Sequence, residues 1–269
     1  SGKVFQTQVY EIPEGTRVAR GRGLLNFLEL SNEEKVLSMV SMEAPAPGAK
    51  EVVKKDKYLV MITKNGRIKK TDLSEFENVR KSGIIAIKLE KGDALKKVVK
   101  TSGEDDIILA TKNGISIRFK EKDIRPMGRG AAGVKGLRLK GSDEVIGMDV
   151  IKKEVPLDEK TNKPVKQYFL IVMENGYGKR TDIGQYKVQG RGGSGIKTAK
   201  ITSKTGTIIM SSILEDGKDE EDLIVISRKG QVIRSSVKSI SLLGRATQGV
   251  RIMRLEDDDK VASGVCVKD

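Results

Sequence analysis

Short apolar runs recur along the chain, and each is followed by a glycine-containing turn. The runs are residues 58–62, 107–110, 168–172 and 223–226. They are rich in β-branched residues and have the length of strands, which predicts buried β-strands. The glycines after them are Gly66, Gly114, Gly176 and Gly230, with Gly2 as a fifth copy at the start of the chain. In three copies Asn precedes this glycine, which indicates a hairpin with a type I′ turn, because both central residues of that turn need positive φ.

A second glycine follows each first one by 17 to 21 residues. These second glycines are Gly23, Gly83, Gly133, Gly195 and Gly249. After them we expect strands of alternating apolar and basic residues, as at 134–139 and 250–255. A further short apolar strand is expected to close each unit, at residues 36–40, 98–99, 145–148, 208–210 and 261–265. Each unit therefore has about four strands, except that the first copy lacks its leading apolar strand.

The spacing of the repeats predicts the fold. Successive first glycines lie 64, 48, 62 and 54 residues apart, close to the period of four-stranded propeller blades. We expect an all-β, propeller-like disc of five or six blades that forms one domain, 1–269, with units at about 1–42, 56–100, 105–152, 166–214 and 221–267. Helical turns are expected only around 72–76 and 182–186, and polar surface connections at 43–49 and 156–164.

The chain carries a large positive charge. It has 51 Lys and Arg against 37 Asp and Glu, a net charge of +14 that is spread along the sequence. Such a charge predicts a polyanionic partner, with nucleic acid first. A thermophile's ion-paired surface also fits the composition but does not account for the imbalance. Five Phe, five Tyr and no Trp argue against single-strand binding by base stacking and favour duplex DNA.

The residue types exclude several kinds of site. The chain has no histidine and one cysteine, Cys266, so the usual zinc sites, histidine-based catalysis and an intramolecular disulfide are not available. The acidic runs at 105–106 and 257–259 lie in turn-like segments, and we interpret them as structural. No apolar run reaches the ~20 residues that a membrane span needs, and no secretory signal is visible. A cytoplasmic, metal-free and non-catalytic chain is expected.

Basic residues recur at fixed positions in the units. Four residues after the first glycine stand Lys70, Arg118, Arg180 and Arg234. Three or four residues before the second glycine stand Arg20, Arg80, Arg129, Arg191 and Arg245. Two residues after it stand Lys135, Lys197 and Arg251, and five residues after it stand Lys88, Arg138, Lys200 and Arg254. In a radially repeated fold one position maps onto one ring, which predicts a belt of cations matched to a phosphate backbone.

A single exposed cation is more often paired with a nearby carboxylate on a solvated strand face. Recurrence in four or five copies favours a binding role instead, on the argument that exposed positions have no packing reason to stay basic. The glycine-rich segment 189–195 could bring backbone N–H groups close to phosphate, with a charge-assisted bond from Arg191. The alternative is an inter-strand loop without a partner. The segment is not a P-loop, because no Gly-Lys-Ser/Thr sequence opens a helix there.

Several segments together resemble the C-terminal domains of bacterial DNA gyrase A proteins and their type IIA topoisomerase relatives. Residues 175–181 and 191–198 are similar to one repeat of that family, and 244–251 to the last repeat; 127–134 and 11–14 fit the same pattern. The resemblance implies a six-bladed β-pinwheel, a disc with exchanged strands whose basic rim bends DNA and delivers it to the cleavage core. Arg22 and Lys179 complete the candidate DNA-binding residues.

The resemblance also implies a parent enzyme that changes DNA supercoiling with ATP and magnesium. Its other parts, the N-terminal breakage-reunion region and the ATPase subunit, would be partners of this chain, and no catalytic, metal or cofactor residue is expected here. The family's gyrase box, needed for full wrapping, belongs to the repeat before the first one seen in this sequence. Its nearest counterpart here, at 189–195, lies in a different blade and has Gly190 and Ser194 where the box is basic. A topoisomerase IV-like guiding platform stays open, as does a protein-scaffold propeller with Glu and Asp interspersed among the basic positions.

Overall fold

The computed structural model describes residues 1–16, 19–31, 34–42, 56–158, 161–215 and 221–268. These residues form short β-strands and 3-10 turns and contain no α-helix. The connection expected at 43–49 lies outside the described residues. In the connection at 156–164, residues 159–160 also lie outside the described residues. The two ends of this connection lie close together, because the Val165 N–H donates to the Pro156 carbonyl at 3.0 Å.

The strands are β1 (Lys3–Val4), β2 (Tyr58–Thr63), β3 (Arg67–Asp72), β4 (Ile84–Ile85), β5 (Leu95–Thr101), β6 (Asp106–Thr111), β7 (Ile115–Lys120), β8 (Val134–Lys135), β9 (Val145–Ile151), β10 (Gln167–Met173), β11 (Tyr177–Asp182), β12 (Ile196–Lys197), β13 (Ile208–Glu215), β14 (Glu221–Ser227), β15 (Val232–Ser236), β16 (Val250–Arg251) and β17 (Val261–Lys268). The 3-10 turns are Val9–Glu11, Leu24–Asn26, Leu73–Phe76, Glu121–Asp123, Ile183–Gln185 and Val237–Ser239. Two of these turns confirm the helical turns predicted around 72–76 and 182–186, but the expectation that helical turns occur only there is wrong, because four other 3-10 turns are present in the described residues.

The strands form antiparallel sheets that share strands between units. Three sheets have four strands, in the orders β5-β2-β3-β8, β9-β6-β7-β12 and β13-β10-β11-β16. In each of them the first three strands come from one unit and the fourth comes from the next unit along the chain; Val134 of β8, for example, lies opposite Ile68 of β3. β4 pairs in the same way with β1, and the last sheet described, β17-β14-β15, has three strands. The all-β, propeller-like prediction is confirmed, with strands exchanged as in a pinwheel.

The closing strands of successive units form a hub. β5 packs against β9, β9 against β13, and β13 against β17. Lys97 of β5 forms an ion pair with Asp149 of β9, 2.6 Å apart, and Ser211 of β13 donates from its Oγ to the same carboxylate at 3.2 Å. Because the exchanged strands occupy the opposite edge of each sheet, they form the outer rim of the disc.

The core lies between neighbouring sheets. Val60 and Ile62 of β2 pack in one cluster with Leu109 of β6 and Ile117 of β7, and all four side chains are buried. Alternate residues of the same strands enter different clusters, because successive side chains of a strand point to opposite faces. The apolar runs at 58–62, 107–110 and 168–172 are therefore buried on both faces, as predicted. The run at 223–226 is buried on one face only, because Leu223 and Val225 are buried while Ile226 is exposed.

The hairpin turns differ from the predicted type I′ turn. Gly66, Gly114 and Gly176 have φ between +77° and +84°, whereas the Asn before each of them has negative φ. The N–H of Gly66 donates to the Thr63 carbonyl at 3.0 Å, which closes a tight turn that ends in a left-handed glycine. This is the three-residue hairpin loop with a glycine bulge, which needs positive φ at one residue only.

In the four later units the second glycine allows strand exchange, whereas Gly23 in the first unit has negative φ and no atom of the described residues within 4 Å of its Cβ position. A Cβ atom on Gly133 would lie 2.6 Å from the Ile68 carbonyl oxygen, and one on Gly249 would lie 2.6 Å from the Gly178 carbonyl oxygen. Both glycines also have positive φ. Only a residue without a side chain lets the backbone of one unit approach the neighbouring strand this closely.

Two predictions about strand extent are wrong. The strands predicted at 134–139 and 250–255 are only two residues long, because the backbone then leaves the ladder: the Gly136 N–H donates to the Gly66 carbonyl, and the Arg138 N–H to the Gly193 carbonyl. The closing strand predicted at 36–40 does not form in the described residues. Closing strands in the other units pair with a leading strand, and the first copy contains none.

Candidate nucleic-acid interface

Cations of the exchanged segments and of the loops before them share the rim. We call the following set the basic belt: Lys88, Arg129, Lys135, Arg138, Arg191, Lys197, Lys200, Arg245, Arg251 and Arg254. Arg129, Arg191 and Arg245 lie in loops and are half-buried, and the other members are exposed. All of them belong to the repeated positions predicted from the sequence.

Loop arginines attach to the exchanged strand of the preceding unit. Arg191 donates from Nη1 to the Lys135 carbonyl at 2.6 Å, and Arg245 donates from Nη1 to the Lys197 carbonyl at 2.9 Å. Each guanidinium therefore lies beside the backbone of a residue whose own side chain is an exposed cation. Cations from different units are brought together in pairs.

A second set of contacts extends the belt from unit to unit. The N–H of Lys88 donates to the Ala131 carbonyl, that of Arg138 to the Gly193 carbonyl, and that of Lys200 to the Thr247 carbonyl. In each case the residue five positions after the second glycine contacts the loop of the following unit. The belt is therefore continuous from Lys88 to Arg254.

Acidic residues are absent from the segments that build the belt. Residues 79–89, 124–142, 183–214 and 223–255 contain no Asp or Glu. Among the described residues, the belt takes part in one ion pair, between Arg129 and Glu75 at 3.5 Å. The interspersed carboxylates expected of a scaffold surface are not found along this part of the rim.

Three further candidates lie beside the belt or away from it. Arg80 is exposed and lines a groove of about 730 Å³ together with Arg129 and Gly130. Arg20 and Arg22 are exposed in the first unit, and in the described residues no hydrogen bond or ion pair joins them to the belt.

The position four residues after the first glycine is not part of the rim. Lys70 is buried, with its Nζ 3.7 Å from Glu121 and 4.7 Å from the centre of the Tyr58 ring. Arg118 pairs with Asp106 at 2.8 Å and donates to the Ile183 carbonyl.

Arg180 extends the same pattern, donating to the Lys238 and Ile240 carbonyls. In each case the cation reaches the 3-10 turn of the next unit, so the argument that these positions have no packing reason to stay basic is wrong here.

Two other candidate DNA-binding residues, Lys179 and Arg234, also form contacts within the fold. Lys179 is fully buried, and its Nζ donates to the Gly244 carbonyl at 2.8 Å. Arg234 is exposed and forms an ion pair with Asp222 at 2.5 Å within the same hairpin. Neither lies on the basic belt.

One cation that the two glycine alignments did not select joins the rim. Lys204 and Arg251 both lie 5.7 Å from the centre of the Tyr177 ring, and Arg251 also donates to its hydroxyl at 3.3 Å. The hydrogen bond from Arg251 and the neighbouring positive charges lower the pKa of the Tyr177 phenol. An aromatic residue directly after a hairpin glycine was the available signal for this cluster.

The remaining reactive groups have structural partners. Asp259 accepts hydrogen bonds from the Lys229 and Lys260 N–H groups. Burial and the charge of Glu221 raise the pKa of the Cys266 thiol to about 12. Among the described residues, no three His, Cys, Asp or Glu side chains are grouped to hold a metal. In that part of the chain, no helix has the length and apolar character that crossing a membrane requires.

Comparison with known proteins identifies the family. A family model described as DNA gyrase C-terminal domain, beta-propeller, matches residues 1–41, 57–102, 105–152, 167–209 and 221–268. The whole chain is 40% identical to part of the DNA gyrase A protein from Staphylococcus aureus, and it spans 28% of the length of that protein.

Two solved structures share the fold. The C-terminal domain of a DNA topoisomerase IV has a TM-score of 0.83 at 20% identity, over 99% of this chain and 76% of that one. A DNA gyrase A C-terminal domain has a TM-score of 0.76 at 23% identity, over 98% and 78%. Because the family model matches all five units of the sequence, the chain belongs to the family of DNA gyrase C-terminal domains with a β-propeller fold.

Proposed function

We propose that this chain is a DNA-binding and DNA-bending domain of a type IIA DNA topoisomerase and has no catalytic residues of its own. Duplex DNA lies along the basic belt, which presents it to the cleavage core of the parent enzyme. The observation that carries the proposal is the continuity of the belt, whose cations adjoin one another across unit boundaries and come from segments without Asp or Glu.

The belt suits binding without sequence preference. Lys and Arg neutralise phosphates and release the counterions condensed on duplex DNA, which gives affinity that depends steeply on salt. A curved rim requires the duplex to bend, at a cost of roughly 1–6 kcal/mol for a bend of 40–90° over 20–30 base pairs. Each additional phosphate contact along the rim offsets part of that cost.

The glycine-rich loop at 189–195 contributes mainly through Arg191. The N–H groups of Gln189 and Gly192 are already bonded to the Arg118 and Gly136 carbonyls, so they do not form a phosphate cradle. Arg191 uses Nη1 and Nε for carbonyls of the preceding unit. Since a guanidinium has five N–H donors, donors remain for a phosphate.

The parent enzyme supplies the chemistry. In this proposal the N-terminal breakage-reunion region of the same polypeptide cuts the DNA, and a separate ATPase subunit uses ATP and magnesium. A gyrase box would belong to a repeat before the first one in this sequence, and its nearest counterpart, at 189–195, has Gly190 and Ser194 where the box is basic. A topoisomerase IV-like guiding platform is therefore the second candidate.

Binding can be tested with a pair of matched variants. Lys135→Ala/Lys197→Ala removes two exposed cations from the same repeat position on the rim. Lys163→Ala/Lys166→Ala removes two exposed cations from the connection between β9 and β10, which contributes no belt residue. By fluorescence anisotropy with a duplex, the first pair should lower affinity at least about tenfold and reduce the salt slope by about 2. Equal losses in both pairs would contradict the belt.

A topological experiment separates the two candidate roles. The chain is bound to relaxed, covalently closed circular DNA, a separate topoisomerase relaxes the supercoils that the bound chain does not constrain, and the change in linking number is measured over a range of salt concentrations. A salt-sensitive change supports gyrase-type wrapping with a fixed hand. Binding without a change supports the guiding platform, and absence of binding contradicts the proposed function.

A further inference from the structure

Two buried lysines lie directly beneath the belt. Lys69 and Lys179 stand three residues after the hairpin glycines Gly66 and Gly176, and both side chains are fully buried. Neither forms an ion pair in the described part of the chain. A buried ammonium without a carboxylate is costly unless other acceptors surround it, so its partners indicate why it is there.

The partners of both lysines are backbone carbonyls of belt loops. Lys179 donates from Nζ to the carbonyls of Gly244, Arg245 and Thr247, and also bonds the Thr247 hydroxyl at 3.2 Å. Every one of these groups belongs to the loop of the next unit. The ammonium therefore fixes the backbone at the residue whose side chain contacts the preceding exchanged strand.

Lys69 repeats this arrangement two units earlier. Its Nζ donates to the carbonyl of Ala86 at 2.7 Å and to that of Arg129. Ala86 follows the exchanged strand β4, and Arg129 is the loop arginine of the next unit. In both units the carbonyl of the belt arginine accepts a hydrogen bond from a buried ammonium.

The corresponding position in the other units is apolar. It holds Phe5, Ile117 and Ile233. A Cβ on Gly193 would lie 3.4 Å from Cδ1 of Ile117, so this side chain also packs under the loop of the next unit. The chain thus contains its own control, because an apolar residue is compatible with the fold at this position and the ammonium is not required to fill it.

We propose that Lys69 and Lys179 are positioning residues for DNA binding: each ammonium holds the carbonyl of Arg129 or Arg245 inward, and the charge of the ammonium sets how well the loop binds phosphate. This inference rests on the proposed function, since it assumes that these loops contact DNA. It concerns residues that do not themselves touch the partner.

The electrostatics link the two lysines to the bound partner. The pKa of both Lys69 and Lys179 is lowered to about 8, chiefly by burial. The charge of Arg245 contributes to this lowering for Lys179, while the charge of Glu75 raises the pKa of Lys69 and that of Arg129 lowers it. A phosphate placed on Arg129 or Arg245 would raise these pKa values, so binding takes up protons. The affinity for duplex DNA is then highest below about pH 8 and falls as the pH rises through that value.

The experiment uses Lys69→Met, Lys179→Met and the double variant, with Ile117→Met as the matched control at the apolar position. Amide hydrogen exchange, corrected for the intrinsic effect of pH, reports on the loops without DNA. We expect protection at Ala131 in Lys69→Met and at Thr247 in Lys179→Met to fall about tenfold, which corresponds to ~1.4 kcal/mol of local opening. Protection at Gly192, whose loop lies over Ile117, should stay unchanged.

Duplex affinity from about pH 7 to about pH 9.5 completes the test, with calorimetry in buffers of different ionisation enthalpy to count protons. The wild type and Ile117→Met should lose affinity as the pH rises and take up protons on binding; the double variant should bind about tenfold more weakly at pH 7 and show neither effect. Unchanged loop protection, or a pH response that persists in the double variant, would overturn the inference. A wild type that does not bind DNA would instead overturn the proposed function, while the exchange measurement still decides whether the lysines hold the loops.

Discussion

Arg245 donates a hydrogen bond from Nη1 to the backbone carbonyl of Lys197, 2.9 Å away, and Arg191 makes the same contact with Lys135. These bonds join a loop of one unit to the exchanged strand of the unit before it. A loop arginine therefore has two roles, since it contributes charge to the rim and also holds two units together.

The two roles can be separated by comparing Arg245→Ala with Arg254→Ala. Each substitution removes one rim charge and should reduce the salt slope of duplex binding by about 1. Only Arg245→Ala also removes a charge-assisted bond between units, so it alone should lower stability to urea, by about 1 kcal/mol. Equal stability of the two variants would show that the Arg245 contact does not hold the units together.

Strand exchange should be sensitive to substitution at Gly133. Gly133→Ala forces a side chain into positive φ, which costs roughly 1–2 kcal/mol, and places its Cβ 2.6 Å from the Ile68 carbonyl oxygen. We expect destabilisation by more than about 2 kcal/mol in urea unfolding. Gly128→Ala is the control, because a Cβ there meets nothing within 4 Å; similar losses in both variants would contradict this account of the close approach.

Lys70 should matter for stability and not for DNA. Burial raises the pKa of Glu121, although the Thr101 hydroxyl and the charge of Lys70 oppose that effect. Lys70→Met leaves the Glu121 carboxyl buried without its cation and should destabilise the fold by about 3–5 kcal/mol. Below its melting transition, the variant should bind duplex DNA within about twofold of wild type. Lys88→Met, at an exposed belt position, is the comparison. If Lys70→Met lost as much affinity as Lys88→Met, Lys70 would have to be part of the DNA interface and the prediction would be wrong.

Acid stability should depend partly on Glu174. Burial would raise its pKa, but the hydrogen bond and charge of Lys260, with the charge of Arg228, lower it below the ordinary value of 4.5. The pairing therefore stabilises the fold above the unfolded-state pKa and is lost as the pH falls through the folded-state pKa. Between about pH 5 and about pH 3, the melting temperature should fall less steeply in Glu174→Gln than in wild type. Parallel curves would contradict this assignment.

The fold was predictable because its signals are local. An apolar run, a turn glycine and a close-approach glycine each have a short-range cause, and they recur often enough to define the units. The two-residue length of β8 was not predictable from the sequence. Apolar and basic residues continue to alternate through Leu139, but the backbone N–H groups after β8 donate to the Gly66 carbonyl and to the next unit instead of continuing the strand ladder.

The interface was harder to predict than the fold. Periodicity identifies equivalent positions but does not say whether they face solvent. Arg138 and Arg118 are both repeated arginines, yet Arg138 is exposed on the rim, while Arg118 is half-buried against Asp106 and a turn of the next unit. The carboxylate partner lies on the neighbouring strand, and only the register of β6 with β7 reveals it.

Strand exchange also constrains how the chain can be made. The sheet built on β2 and β3 is completed by β8, more than 60 residues after β3 begins, so a newly synthesised unit keeps an open edge until the following unit has left the ribosome. Each unit is finished by its successor, and a growing chain always carries one unfinished sheet. Cutting the gene between two sequence repeats would thus divide a sheet. Because β8 follows β6 and β7 of the next sheet, the described sheets overlap along the chain, and no single crossover within residues 3–268 leaves every one of them whole.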